Sequence, residues 1–415
     1  MRKMEVLTAL DIGTSKVACV IAEATSDGEL QIVGAGISPC LGLRKGALVD
    51  PEQTVQAIEA AVEEAEREAG YPVTNVVVGL TSEYLSSLPS HGVWAISNAD
   101  GEVTTSDVRR VVEAARLVGI PSDREILHIV PRGFAVDGQN GIRNPVGLSG
   151  VRLEVDAHVV AASSSFLQNM CKTVQRANLE IDPDGLISGA IASALAVLTE
   201  EERKLGTAMI DIGAGTLDLA VYCEGEVGHS AVLPVAGDLL THDLARFFRI
   251  PPSQAERLKL EKGLASPEFL EHNTDEMLQA KTLSGEGLVE VPRGQMAEVL
   301  EARLLDMFEW VGGELQRAER LGLVVSSLVL TGGTSQLPGI AQLAHRELNM
   351  PCRVACPCYP QGLSDALASP IFSGSIGLLL HGAARRFLPT DKGEVKSSKV
   401  RQFVHSVSRW LAEVF

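Results

Sequence analysis

Two short stretches carry residue types suited to phosphate chemistry: Asp11-Ile12-Gly13-Thr14-Ser15-Lys16 and Asp211-Ile212-Gly213-Ala214-Gly215-Thr216. In each, the glycine lets backbone come close to a ligand because no Cβ intervenes. Consecutive turn amides then form a concavity of partial positive charge that suits phosphate oxygens. Thr14 and Ser15 add hydroxyl donors, and Lys16 adds a cation. Asp11 and Asp211 would repel phosphate directly, so they make sense as ligands of Mg2+, acting through water, because Mg2+ keeps several waters and takes few carboxylates. A single Asp-x-Gly hairpin is most often only a hairpin. Two copies about 200 residues apart describe a clamp around a polyphosphate and its metal. The pattern G-x-x-x-x-G-K-[ST] does not occur, which excludes a P-loop protein.

The elements that must position these turns are repeated with them. Leu7 to Glu23 and Ala208 to Glu224 each read as an apolar strand, a tight turn and a returning strand. A unit seen twice predicts two related halves. Between them, Asp50-Pro51 reads as an N-cap and first helical position. Val55, Ile58, Val62 and Ala65 follow at helical spacing, and Gly70 closes the helix. Val76 to Leu80 reads as a strand. From about residue 84 to 162 the pattern reads as an inserted module of short alternating strands (Val93 to Ile96, Ile126 to Val130, Val151 to Val160) around a helix from Ser106 to Gly119, punctuated by turns such as Asp137 to Gly141. Ser165 to Ala177 returns to a helical pattern. The apolar run Leu186 to Leu198 is too short to span a bilayer and reads as a buried helix. Thr241 to Ala302 reads as charged and mainly helical, with a strand near Leu288 to Val291. Leu328 to Leu330 reads as a strand running into Thr331-Gly332-Gly333-Thr334.

Composition agrees with a layered α/β protein. The 415 residues allow two to four domains and a large core; 45% are hydrophobic but only 4% aromatic, so the core is aliphatic. The formal net charge of −17 argues against nucleic acid as a partner. Seven cysteines, odd in number and mostly scattered, read as reduced cytosolic thiols. Cys352, Cys356 and Cys358 form a C-x3-C-x-C cluster, but that spacing is not a usual zinc pattern and no second pair completes it. Met1-Arg2-Lys3 precedes too few apolar residues for a signal peptide. The charge is uneven: Arg385 to Phe415 holds seven Lys or Arg against three Asp or Glu, near +4, leaving about −21 for the rest.

That basic end has its own pattern. Residues 389–398 are polar and read as a flexible linker. Beyond them Val400, Phe403, Val404, Val407, Trp410, Leu411 and Val414 fall on one helical face. Lys399, Arg401, His405 and Arg409 lie towards other sides, and Phe415 closes the segment. An apolar face with Phe and Trp, flanked by cations, suits a helix lying in a membrane interface, where anionic lipids add about 1 kcal/mol per nearby Lys or Arg.

Residues 8–20 and 209–221 resemble the two phosphate motifs of the actin, Hsp70 and sugar-kinase superfamily. Gly185 to Leu198 and Phe372 to Gly382 resemble its two connecting helices, and Leu328 to Ile340 its adenosine motif. All five occur in order. The resemblance implies an actin-like, ribonuclease H-like two-lobed ATPase fold, with ATP and Mg2+ between the lobes. It places Gly332 and Gly333 beside the purine, with Gln336 following. Ala255 to Lys259 is similar to a stretch that touches the ribose and base, so Glu256 and Lys259 read either as contacts or as a solvated helix pair. A sugar kinase would need a catalytic Asp and a sugar pocket, and no segment announces one.

The inserted module and the terminal helix together resemble the FtsA family of bacterial cell-division actin homologues, over essentially the whole chain. That resemblance implies a first lobe core of 1–83 with 163–190 and 362–388, the inserted subdomain 84–162, a second lobe core of 191–237 with 311–361, a smaller subdomain 238–310, the linker 389–398 and the membrane helix 399–415. It implies a filament-forming protein on the cytoplasmic face of the inner membrane at the division site. Its partners would be anionic lipids, other copies of itself, later division proteins, and the C-terminal peptide of FtsZ held by 238–310, for which Arg293 and Arg303 are candidates. ATPase activity would be slow at most, since no residue announces a base. The alternatives are a pilus-assembly ATPase of the PilM type, which lacks the terminal helix, and a small-metabolite kinase.

Overall fold

The computed structural model describes residues 5–24, 30–98, 100–117, 119–270, 276–283, 287–358 and 367–386. The expected linker 389–398 and expected membrane helix 399–415, with Val400, Arg401, Phe403, Val404, Val407, Arg409, Trp410, Leu411, Val414 and Phe415 as its expected membrane residues, lie outside the described residues.

The first half opens with β1 (Glu5–Ile12), β2 (Lys16–Ala24) and β3 (Leu30–Pro39), an antiparallel meander. A small hairpin, β4 (Leu43–Arg44) and β5 (Ala47–Leu48), leads into α1 (Pro51–Ala69). The expected ends of α1 hold. Asp50 accepts hydrogen bonds from the amides of Glu52 and Gln53, and Gly70 closes the helix at φ 83°. β6 (Asn75–Leu80) then pairs parallel to β1. The inserted module follows: β7 (Leu85–Ala95), α2 (Thr105–Arg116), β8 (Arg124–Val136), β9 (Gln139–Ile142) and β10 (Arg152–Ser163). The chain returns through α3 (Ser164–Arg176) to β11 (Glu180–Ser188), parallel to β6, and to α4 (Gly189–Val197).

The second half repeats the plan. After α5 (Glu200–Leu205), β12 (Thr207–Ile212), β13 (Leu217–Cys223) and β14 (Glu226–Leu233) form a second antiparallel meander. α6 (Gly237–Phe248), α7 (Pro252–Lys262), the hairpin β15 (Met277–Lys281) and β16 (Leu288–Pro292), and the long α8 (Arg293–Arg320) come next. β17 (Ser327–Thr331), α9 (Ile340–Leu348), β18 (Cys352–Val354) and α10 (Ser373–Arg386) complete the described chain. The two five-stranded sheets have one topology, β3-β2-β1-β6-β11 and β14-β13-β12-β17-β18, so the two halves expected from the repeated turns are there.

Strand period two assigns the faces. Ala208, Ile210 and Ile212 enter one core with α6 and α8, whereas Met209, Ala220 and Val329 face the other way into the core shared with α4 and α10. These two helices therefore lie between the sheets. They cross closely: a Cβ on Gly377 would stand 1.7 Å from the carbonyl oxygen of Ala192, so only glycine fits there. The module 85–163 has its own core, built on Val111, Leu153, Val155 and Val159.

Four local readings are corrected. The module strands are longer than expected, at 11, 13 and 12 residues for β7, β8 and β10, because they continue through Pro89, Pro131 and exposed polar positions that broke the alternation. The expected turn at 137–141 is a tight hairpin, with Asp137 and Gly138 both at positive φ, that adds strand β9. α2 stops at Arg116, before Gly119. The apolar run from Leu186 starts as the end of β11, and the buried helix begins only at Gly189.

Candidate functional site

Both turns close in the same way. The amide of Gly13 donates to the carbonyl of Lys16 at 2.9 Å, and that of Gly213 to Thr216 at 3.0 Å. They face and touch one another. A Cβ added to Gly215 would lie 2.5 Å from Thr14 Oγ1 and 2.9 Å from Thr14 Cβ. The turns thus meet where the first half meets the second.

Asp11 ends β1 and points at the start of α10, where Gly374 leaves room for it: a Cβ there would stand 2.6 Å from Asp11 Oδ2. Asp211 ends β12 and accepts a 2.6 Å hydrogen bond from Ser193 Oγ on α4. Gly332 gives Asp211 space, at φ 84° and with a hypothetical Cβ 2.1 Å from Asp211 Oδ1. Each carboxylate is therefore set by its own strand and one connecting helix. Burial raises the pKa of Asp11, against the pull of Lys16. Burial also pushes Asp211 up to about 6, with repulsion from Asp11 adding and Ser193 and Lys16 opposing. Burial lowers Lys16, while attraction to both carboxylates resists the loss of its proton. Lys16 is thus the countercharge of the pair, a role beyond the phosphate contact expected of it.

A third carboxyl was missed. Asp218 on β13 is 5% exposed, and it stands directly opposite Asp211 in the antiparallel ladder. Its Oδ2 accepts a hydrogen bond from Thr81 Oγ1, a residue of the first half. Thr81 Oγ1 is in turn 2.9 Å from Thr216 Oγ1. Asp218 Oδ1 is buried without a hydrogen-bond partner. Burial first, then Asp211, raises its pKa well above the usual carboxylate range. The available signal was an acid inside an otherwise apolar strand, Leu217 to Tyr222, seven residues after Asp211.

The rest of the expected site gathers on the second turn. Thr334 Oγ1 donates to the carbonyl of Gly213 at 2.8 Å, and the amides of Gly237 and Asp238 reach Gly213 and Ala214 at 3.1 and 2.8 Å. Lys259 Nζ donates to the Gly237 carbonyl at 3.1 Å and to Thr241 Oγ1 at 2.8 Å, and pairs with Glu256 at 2.7 Å. Glu256 also accepts from Thr241 Oγ1. Lys259 is well buried, with 10% of its side chain exposed, so it is packed into the turn region, unlike a residue of a solvated surface pair. Gly332 and Gly333 lead into a short 3-10 turn, Gly333–Gln336, where Gln336 is exposed and donates back to the Gly333 carbonyl at 3.3 Å. Gln336 thus ends this turn, ahead of α9. Arg293 and Arg303 lie apart from the site and are engaged within the chain, Arg293 with Glu276 at 3.2 Å and Arg303 with Asp243 at 2.6 Å.

The donor set suits a divalent ion held through water. Among the described residues no group of three or more His, Cys, Asp or Glu could hold a metal directly, and Cys352, Cys356 and Cys358 are free thiols. An ion needing few protein carboxylates, several waters and phosphate oxygens would fit Asp11 and Asp211, beside the unpartnered Asp218 oxygen.

Comparison with known proteins decides the family. The family described as "Cell division protein FtsA" matches residues 208–377, and the one described as "SHS2 domain inserted in FTSA" matches residues 82–161. The cell division protein FtsA of Pseudomonas aeruginosa is 40% identical over 382 residues, 92% of this chain and 90% of that protein. That of Escherichia coli K12 is 34% identical over 419 residues, 99% of this chain and 98% of that protein. The chain belongs to the FtsA family of cell division proteins.

Solved structures agree on the fold. The PilM–PilN type IV pilus biogenesis complex superposes with a TM-score of 0.63 at 20% identity, over 91% of this chain and 98% of that one. MreB5 of Spiroplasma citri bound to ADP gives a TM-score of 0.51 at 14% identity, over 89% and 94%. The fold is therefore actin-like with the inserted SHS2 domain. The likeness to a pilus protein is one of fold, whereas the FtsA relatives match at the level of sequence. Among the described residues no helix is long and apolar enough to cross a membrane.

Proposed function

We propose that this chain is an ATP-binding, polymer-forming adaptor that tethers the FtsZ ring to the cytoplasmic membrane and recruits later division proteins. The observation that carries the reading is the meeting of the two turns, Thr14 against Gly215, with Lys16 attracted to both Asp11 and Asp211. A clamp of two phosphate turns suits the polyphosphate of ATP, and the ADP bound in the MreB5 structure supports a nucleotide in this fold. The amides of Thr14 and Ser15 and of Ala214, Gly215 and Thr216 face the phosphates, while those of Gly13 and Gly213 close the turns. Gly332, Gly333 and Gln336 lie at the purine end, and Glu256 and Lys259 at the ribose. Asp11 and Asp211 would hold Mg2+ through water, and the ion would supply positive charge to offset the phosphates. Asp218, held by Thr81, is the group able to take a proton from water at the site, which suits slow turnover.

A nucleotide touching both turns favours the closed arrangement of the halves and so selects the surfaces used for assembly. Polymerisation gathers many terminal helices, and avidity turns weak single anchors into firm attachment. The FtsZ peptide would dock on 238–310 by exchanging with Glu276 at Arg293 and with Asp243 at Arg303, competition that makes this contact salt-sensitive. Liposome co-sedimentation tests the tether. The full chain pellets with anionic vesicles, and a chain ending before Lys399 stays in solution while keeping its thermal stability. Pelleting of the shortened chain would overturn the membrane role of the tail.

A further inference from the structure

A trough separate from the nucleotide site runs along the joint between the inserted module and the second half. Its two sections have volumes of about 480 Å³ and about 260 Å³, and Ser87, His229 and Arg317 line both. One wall is β7 and the floor is β14, each the outermost strand of its sheet. The other wall is α8. The seam is fixed from below: Ser87 Oγ donates to the carbonyl of Ser230 at 2.6 Å, and His158 Nε2 lies 2.9 Å from Ser230 Oγ. The wall is held by His229, 2.9 Å from Glu314, which also accepts from Arg317.

The α8 wall carries an ordered stripe. Trp310, Gly313, Arg317 and Arg320 follow at spacings of three, four and three, and so share one helix face. Trp310 is 53% exposed, although large aromatics are usually well covered. Open space lies above Gly313, where an added Cβ would meet nothing within 4 Å. Arg320 makes no ion pair among the described residues, in a chain of net charge −17. Glu314, the one acid in the lining, is already satisfied by His229 and Arg317. The trough is therefore apolar at the Trp310 end and basic at the Arg320 end.

We infer that this trough binds an extended acidic peptide segment of a partner protein. One apolar side chain of the segment rests over Gly313 against Trp310, and carboxylates follow on Arg317 and Arg320. Spacing sets the motif. Arg317 and Arg320 stand about 10 and about 15 Å along the helix from Trp310. An extended chain covers those lengths in about three and about five residues. Two observations name the occupant: the basic end favours acid, and a trough bounded by two strands and a helix face fits a chain in extended form. Because the walls belong to the inserted module and to the second half, a bound segment also clamps these two units together.

The test is fluorescence anisotropy of the full-length protein with a fluorescein-labelled decapeptide that has one phenylalanine and glutamates three and five positions after it. The expected result is saturable binding that weakens as salt rises from about 50 to about 300 mM. Trp310→Ala and Arg320→Glu each weaken it about tenfold or more. Both side chains are exposed, so both variants keep the wild-type melting temperature, and the lysine version of the peptide does not bind. Equal binding of the lysine peptide, binding unchanged in both variants, or no saturable signal up to about 1 mM would overturn the inference. None of these results depends on nucleotide, so a failure here leaves the ATP site unaffected.

Discussion

The two phosphate turns share one backbone and differ in side chains, position by position. Lys16 in the first corresponds to Thr216 in the second, Ser15 to Gly215, and Ala18 to Asp218. The ladders show the consequence. Asp11 faces Ala18 across its hairpin, whereas Asp211 faces Asp218. Two acids directly opposite in a ladder are destabilising, and here Asp218 is buried and Asp211 half-buried. The first turn is therefore equipped to hold charge, with hydroxyls and a cation. The second is equipped with a strained acid pair and a flat glycine on which the first can close. Rules broken at one of two equivalent places mark that place as functional.

The comparison breaks most sharply at Gly215. Gly215→Val drives a side chain into Thr14, so the halves cannot meet, and nucleotide affinity measured by fluorescent-nucleotide titration should fall by about a hundredfold or more. An unchanged affinity would mean that the contact plays no part in binding.

Removing one acid of the second turn's pair has a smaller effect, read in stability instead of affinity. Asp211 rises from 3.8 to about 6. A carboxyl whose folded pKa is raised contributes stability that is present below its unfolded pKa and is lost as pH climbs through the folded value. The ligand-free protein should therefore lose about 3 kcal/mol between about pH 4 and pH 7 from this group. Asp218→Asn removes one of the acids that face it. Urea titrations should find the variant more stable than wild type at pH 7, by about 1–3 kcal/mol, with the gap closing towards pH 4. A gap that stays constant with pH would separate Asp218 from Asp211.

The smallest change is at Ser15, the exposed hydroxyl of the first turn. Ser15→Ala removes at most one hydrogen bond to phosphate, so the nucleotide titration should weaken by about three- to tenfold.

The repeat was legible because Asp-Ile-Gly recurs between apolar runs, and the turns, the helix caps of α1 and the buried helix after Gly189 followed from local rules. Contacts made across the two halves were less visible. Nothing local tells Thr81, 135 residues from Thr216, that it reaches Thr216 and Asp218. Lys16 is a further case: only the fold brings it close enough to Asp11 and Asp211 to attract both. Nor does the sequence show that the peptide candidates Arg293 and Arg303 are already paired, because their partners Glu276 and Asp243 are brought in by the packing of α6, α8 and the β15 hairpin. The long strands of the module ran past Pro89 and Pro131, which cut the pattern in sequence but sit within strands in space.

The central claim is that the two turns act as one nucleotide clamp. Isothermal titration of ATP with Mg2+ into the full chain tests it most directly, with Asp11→Asn, Asp211→Asn and Gly215→Val run in parallel. The account predicts one site per chain in the wild type, weakened by about tenfold or more when Mg2+ is removed, and lowered by substitutions in either turn. Binding that survives all three substitutions unchanged, or no binding by the wild-type chain, would contradict it.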